Sequence, residues 1–199
     1  MTGPGAPTNP KRRELIKWLW RLPVFAVAVG GGLGVYEAIK VHFLKQNAAA
    51  EPEFAATTPT RVATLGDFGE VWDEAAFEVP GAGATGGPLP ALAVRLPGPI
   101  PGDLAIASGV AGASAYLAAF SRVCTHQHCV VVLNRDIEAI NFGFNYLTDK
   151  PALTCPCHLS VFDPTQAGKA VSGPAVLPLP RVRLELIGGE VFATGVERS

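Results

Sequence analysis

Cysteine and histidine are both scarce in this 199-residue chain, with four of each. Charge is scarce as well, 17% of residues, and neither sign prevails: 16 Lys and Arg stand against 17 Asp and Glu, a formal net charge of −1. So neutral a chain offers no global field to a polyanion, which argues against nucleic acid as a partner and against an acidic substrate. Internal repeats are lacking, and so is a phosphate-cradling glycine motif. The stretch "GAGATGGP" at 81–88 has no lysine to reach a phosphate and reads as a surface loop. What the chain does have is apolar residues, 48% of the total. That supports one domain of roughly 100–150 residues plus an appendage.

The charges that are present are unevenly placed. Lys11, Arg12, Arg13, Lys17 and Arg21 crowd the first 21 positions against the single acid Glu14. Behind them runs the uncharged "LPVFAVAVGGGLGVY", Leu22 to Tyr36. As a helix this run covers about 22 Å of a hydrocarbon core about 30 Å thick. Its flanks can supply the rest: Trp18 and Trp20 lie where an aromatic belt would, and Lys17, Arg21, Lys40 and His42 reach toward an interface. Residues 1–21 are therefore expected to be a cytoplasmic basic segment and 22–44 a transmembrane helix. The positive-inside rule then puts everything beyond about residue 45 on the outer face of a bacterial cell membrane, crossed once. "RRELIK", beginning at Arg12 and Arg13, resembles the twin-arginine export signal. That resemblance implies export of an already folded chain, as a preinserted cofactor would require.

Next comes "QNAAAEPEFAATTPT", small and polar with Pro52 and Pro59, so 45–60 reads as a flexible tether or hinge. A globular domain is expected over 61–199. Short apolar or β-branched runs follow, "LAVRL" at 92–96, "AYLAAF" at 115–120, "CVVVL" at 129–133, "ALTC" at 152–155 and "VFATG" at 191–195, separated by Gly- and Pro-rich turns. "RVRLELIGGEVFAT" alternates over 181–187, turns at Gly188-Gly189 and returns as a strand. The fold class is all-β, an antiparallel sandwich or small barrel.

All four cysteines and three of the four histidines fall in two patches, "CTHQHC" at 124–129 and "CPCHLS" at 155–160. Cys124 and His126 form C-x-H; Cys155 and His158 form C-x-x-H. Two cysteines and two histidines could bind a tetrahedral zinc ion. They could equally hold a [2Fe–2S] centre with two thiolates on one iron and two imidazoles on the other. Zinc leaves the other two cysteines without a role, whereas an oxidising compartment would allow them a disulfide.

At these residues the chain resembles the Rieske iron–sulfur proteins, whose two boxes read C-T-H-x-G-C and C-P-C-H-G-S. The resemblance extends over about 61–199, with its specific motifs in 122–178, the expected inserted cluster-binding subdomain. It implies one Rieske-type [2Fe–2S] cluster per chain, Cys124 and Cys155 on the inner iron, His126 and His158 on the outer, and a disulfide between Cys129 and Cys157. "SGPAVLP" at 172–178 resembles the family's proline loop, with Gly173 and Pro174 over the cluster. Ser160 matches the serine that hydrogen-bonds a bridging sulfur. Phe162 replaces the tyrosine of high-potential members, which implies a lower midpoint and a lower-potential quinol such as menaquinol.

Some positions depart from the family. His128 and Leu159 replace the box glycines, and Gln127 replaces the apolar residue common at the first tip. His128 is expected to be a surface histidine rather than a ligand. The spacer from His126 to Cys155 is longer than the family's, and its excess near "NRDIEAINFGFNYLTD" is expected to form a surface excursion between the cluster loops. The function implied is that of the electron-transfer subunit of a quinol–cytochrome c oxidoreductase of the cytochrome bc type, not catalytic alone. There His126 and His158 would meet the quinol in proton-coupled electron transfer. Its partners would be cytochrome b, a c-type cytochrome and quinol in a dimeric multi-subunit complex. The alternative is the small Rieske subunit of an arsenite-oxidase-like molybdenum enzyme.

Overall fold

The computed structural model describes residues 18, 22, 26, 27, 29–39, 44–106 and 114–198. Contacts divide the chain into two units, 1–40 and 41–199. In the first, the described residues are helical, and Val27, Leu33 and Val35 are exposed. Among the described residues no helix is long and apolar enough to cross a membrane. Arg12 and Arg13 lie outside the described residues, as do parts of the 22–44 segment.

The second unit is antiparallel β throughout. A seven-stranded sheet runs in the order β1 (Phe54–Thr64), β11 (Glu190–Glu197), β10 (Arg181–Ile187), β5 (Ala115–Ser121), β3 (Leu89–Leu96) and β2 (Glu74–Val79), with β4 (Leu104–Ile106) paired to β5. Its outer strands β1 and β2 approach each other, so the sheet is nearly closed. The β10–β11 hairpin turns at Gly188 and Gly189, both at positive φ, as the alternating sequence predicts. A smaller sheet of β6 (Val132–Asn134), β7 (Ala152–Cys155), β8 (Ser160–Asp163) and β9 (Lys169–Ser172) is inserted between β5 and β10, which pair directly through Arg181–Phe120 and Val182–Ala119.

The apolar runs of β3 and β5 lack strict alternation because both faces of these strands are covered. Ala91, Ala93, Leu117 and Ala119 join Val182, Leu184 and Val191 in one core. The intervening Leu92, Val94, Leu96, Ala118 and Phe120 face the inserted sheet and meet Cys124, Val131, Leu153, Cys155 and Phe162 in a second core. Successive side chains of a strand point to opposite faces, so each strand serves both cores at once. The site therefore rests on a floor shared by the two sheets.

Two sequence expectations change here. β1 begins at Phe54, inside the stretch read as tether: residues 54–64 pair with β11, with register shifts around Ala56–Thr60 and Arg61–Ala63. A proline is tolerated at such an irregularity because no ladder hydrogen bond is asked of it, and Pro59 sits within the first. The second change concerns the long spacer. It contains α1 (Ile137–Gly143), capped by Asp136, whose side chain accepts the Ala139 N–H at 2.9 Å. Val132 pairs with Thr154 and Asn134 with Ala152, so this excursion leaves the β6–β7 hairpin at the end away from Cys155. Ile140 is buried with Ala152 and Val161, and Phe144 and Tyr146 pack against them.

Candidate metal centre

Three loops of the inserted sheet converge. The first follows β5, where Val123 bridges Val130 and the chain folds back so that Cys124 N–H donates to Cys129 O and His128 N–H to Cys124 O, each at 2.9 Å. The second is the β7–β8 turn, in which Cys155 pairs with Ser160 and the residues between them form the tip. The third is the 172–178 loop after β9.

These loops are fastened to one another by contacts of different chemistry. Cys129 and Cys157 form a disulfide between the first and second, with Cα atoms 6.5 Å apart. Thr125 Oγ1 donates to Leu177 O at 2.8 Å, joining the first to the third. Ala175 N–H donates to Ser160 Oγ at 3.1 Å, joining the third to the second. Gly173 lies at φ +76°, and a Cβ there would fall 2.5 Å from Leu159 O and 2.6 Å from the Ser160 Cα. Only glycine permits that approach. Pro174 follows it in the loop.

The donor groups meet where the loops do. Cys124 and Cys155 are free thiols, each 1% exposed. Burial pushes the Cys124 thiol up, the backbone N–H groups of His126 and Gln127 pull it back, and the adjacent Cys155 thiol pushes it further up. His126 and His158 stand edge to face with ring centroids 4.9 Å apart. His126 is partly buried and His158 exposed. The Nδ1 of His126 is buried and has no hydrogen-bond partner. Such an orphan is costly unless a ligand takes it. The sulfurs of Cys129, Cys155 and Cys157 also lie within 4.8 Å of one another, but two of the three are joined to each other and have no thiolate to offer. Two buried free thiols and two imidazoles in ring contact, one with a buried and unsatisfied nitrogen, are the donor types of a Cys₂His₂ metal group.

Backbone geometry accounts for the departures at the box glycines. His128 and Leu159 both adopt φ +58°, the left-handed region that glycine enters freely. The loop conformation persists, at a cost of roughly 1–2 kcal/mol for each non-glycine residue. Histidine is comparatively tolerant there and leucine is not. Leu159 is 46% exposed and Leu177 43%, and Gln127 and His128 are exposed. Phe162 and Ser160, by contrast, are fully buried.

Sequence reasoning missed one participant. Lys45 Nζ donates to the carbonyls of Gly173 and Ala175, and Gln46 N–H to Val176 O at 3.0 Å. No motif marks a lysine whose acceptors are backbone oxygens 128 and 130 residues away.

An all-β protein with a nearly closed sheet, an inserted smaller sheet and a two-loop Cys/His centre is thus defined. Residues 104–183 match the family model for the Rieske [2Fe–2S] domain. This chain carries a Rieske [2Fe–2S] domain, which indicates a [2Fe–2S] cluster rather than a zinc ion. Among curated proteins it is similar to iodate reductase subunit IdrB of Denitromonas iodatirespirans, 34% identical over 46% of this chain and 44% of that one. It is also similar to the putative respiratory nitrate reductase subunit Rieske of Haloferax mediterranei, 36% identical over 43% of this chain and 31% of that one. The cytochrome b6-f complex iron-sulfur subunit of Chlorobaculum tepidum is 32% identical over 39% of this chain and 35% of its own. The matched region spans less than half the length of each of these relatives.

Proposed function

We propose that this Rieske protein is the electron-transfer subunit of a quinol–cytochrome c oxidoreductase of the cytochrome bc type, taking electrons from a quinol, menaquinol in particular, and delivering them to a c-type cytochrome. The observation that carries the reading is the His126–His158 pair, ring centroids 4.9 Å apart, on the same two loops as the buried free thiols of Cys124 and Cys155. Cys124 and Cys155 would hold one iron, His126 and His158 the other. A bound [2Fe–2S] cluster supplies one-electron storage there. An imidazole that spends Nδ1 on a metal keeps Nε2 for an outside partner. Nε2 of His126 or His158 would then accept a hydrogen bond from the quinol hydroxyl and take up its proton, the bound cluster being the one-electron acceptor. The exposed Leu159 and Leu177 offer apolar surface to a quinone ring or a haem edge, while Gln127 makes the other tip polar.

The same reading assigns residues 22–44 to a membrane anchor with the N-terminus cytoplasmic, the domain outside, and Arg12 and Arg13 in a twin-arginine signal. Its support is the uncharged run from Leu22 to Tyr36 and the disulfide, which suits an oxidising compartment. Cytochrome b would be the membrane partner within a dimeric complex.

A second reading is favoured by Phe162 and by relatives that are named as iodate and nitrate reductase subunits: the small subunit of an arsenite-oxidase-like molybdenum enzyme. Purification of the complex from its native membrane separates the two. Co-purifying b-type haem with quinol-dependent reduction of the Rieske signal is expected for the first. Molybdopterin without b-type haem would refute it in favour of the second.

A further inference from the structure

Lys45 falls in a stretch whose sequence reads as linker, yet the structure binds it to the cover of the metal centre. Its ammonium donates to Gly173 O and, at 2.5 Å, to Ala175 O; the next residue donates its N–H to Val176 O. Ala49 O is fixed in turn by Arg181 Nη2 at 2.8 Å. The two carbonyls taken by Lys45 flank the Ala175 N–H, and that N–H donates to Ser160 Oγ. A hydroxyl that accepts from Ala175 has its own proton left to donate elsewhere. We propose that Lys45 is a positioning residue for the metal centre: it clamps the 173–176 loop so that Ala175 orients the Ser160 hydroxyl, and its positive charge favours the reduced, more negative centre.

The inference deepens the cluster reading and rests on it for its electrostatic half. The clamp half stands on hydrogen bonds alone. Burial lowers the Lys45 pKa, and paired carbonyl acceptors oppose that by stabilising the ammonium. The arrangement turns a nominal linker into part of the site's second layer of support, which is where the precision of a redox site is commonly set.

The test uses full-length, cluster-loaded protein. Lys45→Met keeps the stem and removes the charge; Lys45→Arg keeps the charge and the donors. In protein-film voltammetry, Lys45→Met is expected to lower the reduced-to-oxidised ratio at a fixed potential by about tenfold, the order produced by removing one nearby charge at an effective dielectric of about 20. Tenfold corresponds to 59 mV for one electron. Lys45→Arg is expected to stay within about twofold of the wild type, which is at most about a third of the potential shift that removing the charge produces. An unchanged Lys45→Met, or an equal fall in Lys45→Arg, overturns the proposal. Hydrogen exchange of the wild-type chain supplies a readout that needs no variant to fold: a protected Ala175 amide is expected, and exchange at the rate of an open loop would overturn the clamp. A wild-type protein with a protected Ala175 amide but no iron–sulfur signal would refute the cluster reading instead.

Discussion

Replacing Ser160 by alanine removes one oxygen from a fully buried position and has two separable consequences. The first is structural. Ala175, itself 1% exposed, loses the acceptor of its N–H, and an unsatisfied buried donor costs about 1–3 kcal/mol. The second is electrochemical. With Oγ accepting from Ala175, the hydroxyl proton is available to a sulfur of the centre, and a hydrogen bond to a charged acceptor is worth about 1.5–3 kcal/mol. The reduced state carries more negative charge and gains most from that bond. If the whole bond energy is differential between the redox states, its loss lowers the midpoint by about 60–130 mV, taking 59 mV as 1.4 kcal/mol for one electron. Smaller differences give proportionally smaller shifts. Protein-film voltammetry reads the midpoint, and a urea titration of the same sample reads the stability. A variant that is destabilised but keeps its midpoint would refute the assignment of the hydroxyl to the centre while leaving the Ala175 bond intact.

Four other outcomes are expected. Phe162→Tyr should raise the midpoint by up to about 130 mV if its hydroxyl reaches a ligand sulfur; an unchanged midpoint would show that the hydroxyl bonds elsewhere. Leu159→Gly should stabilise the chain by about 1 kcal/mol by relieving φ +58°, while slowing electron exchange with the partner if the exposed leucine is a contact; a destabilised variant in thermal unfolding would contradict the backbone argument. Cys129→Ala with Cys157→Ala, which opens a loop of 28 residues, should cost about 3–4 kcal/mol in denaturant unfolding, and an unchanged unfolding midpoint would contradict it. The fourth concerns pH. Burial would raise the Asp163 carboxyl, but hydrogen bonds from Thr165, Lys150 and Gln166, with the Lys150 charge, outweigh it and hold the carboxyl below its usual range. A lowered folded pKa gives stability that is complete above the unfolded pKa and lost as pH falls through the folded one. Asp163→Asn should therefore cost about 1–3 kcal/mol at pH 7 and flatten acid unfolding below about pH 4; an equally steep acid limb would refute this.

The sequence disclosed the site more fully than the frame that carries it. The two patches single out Cys124, His126, Cys155 and His158 because ligand chemistry restricts residue type and spacing; the two imidazoles stand in ring contact and the two thiols are free and buried. Strands β3, β5, β7, β10 and β11 are legible as apolar or alternating runs between glycines and prolines. β1 is not, because "FAATTPTRVAT" has small residues and a proline, and only its pairing with β11 makes it a strand. β8 and β9, four residues each, are too short for a period to register. The spacer helix is likewise short at seven residues and depends on burying Ile140. Lys45 illustrates the remaining limit: its acceptors are main-chain carbonyls, and backbone atoms leave no signature in residue identity.

Cys124, Cys155, His126 and His158 would together hold the [2Fe–2S] cluster. The most direct test is iron and acid-labile sulfide analysis, with EPR of the dithionite-reduced state, on protein matured in its own host. Two irons and two sulfides per chain, with an EPR signal whose average g lies near that of a histidine-ligated cluster and which vanishes in His158→Ala, are the expected result. Stoichiometric zinc with no sulfide, or an EPR-silent reduced protein, would contradict it.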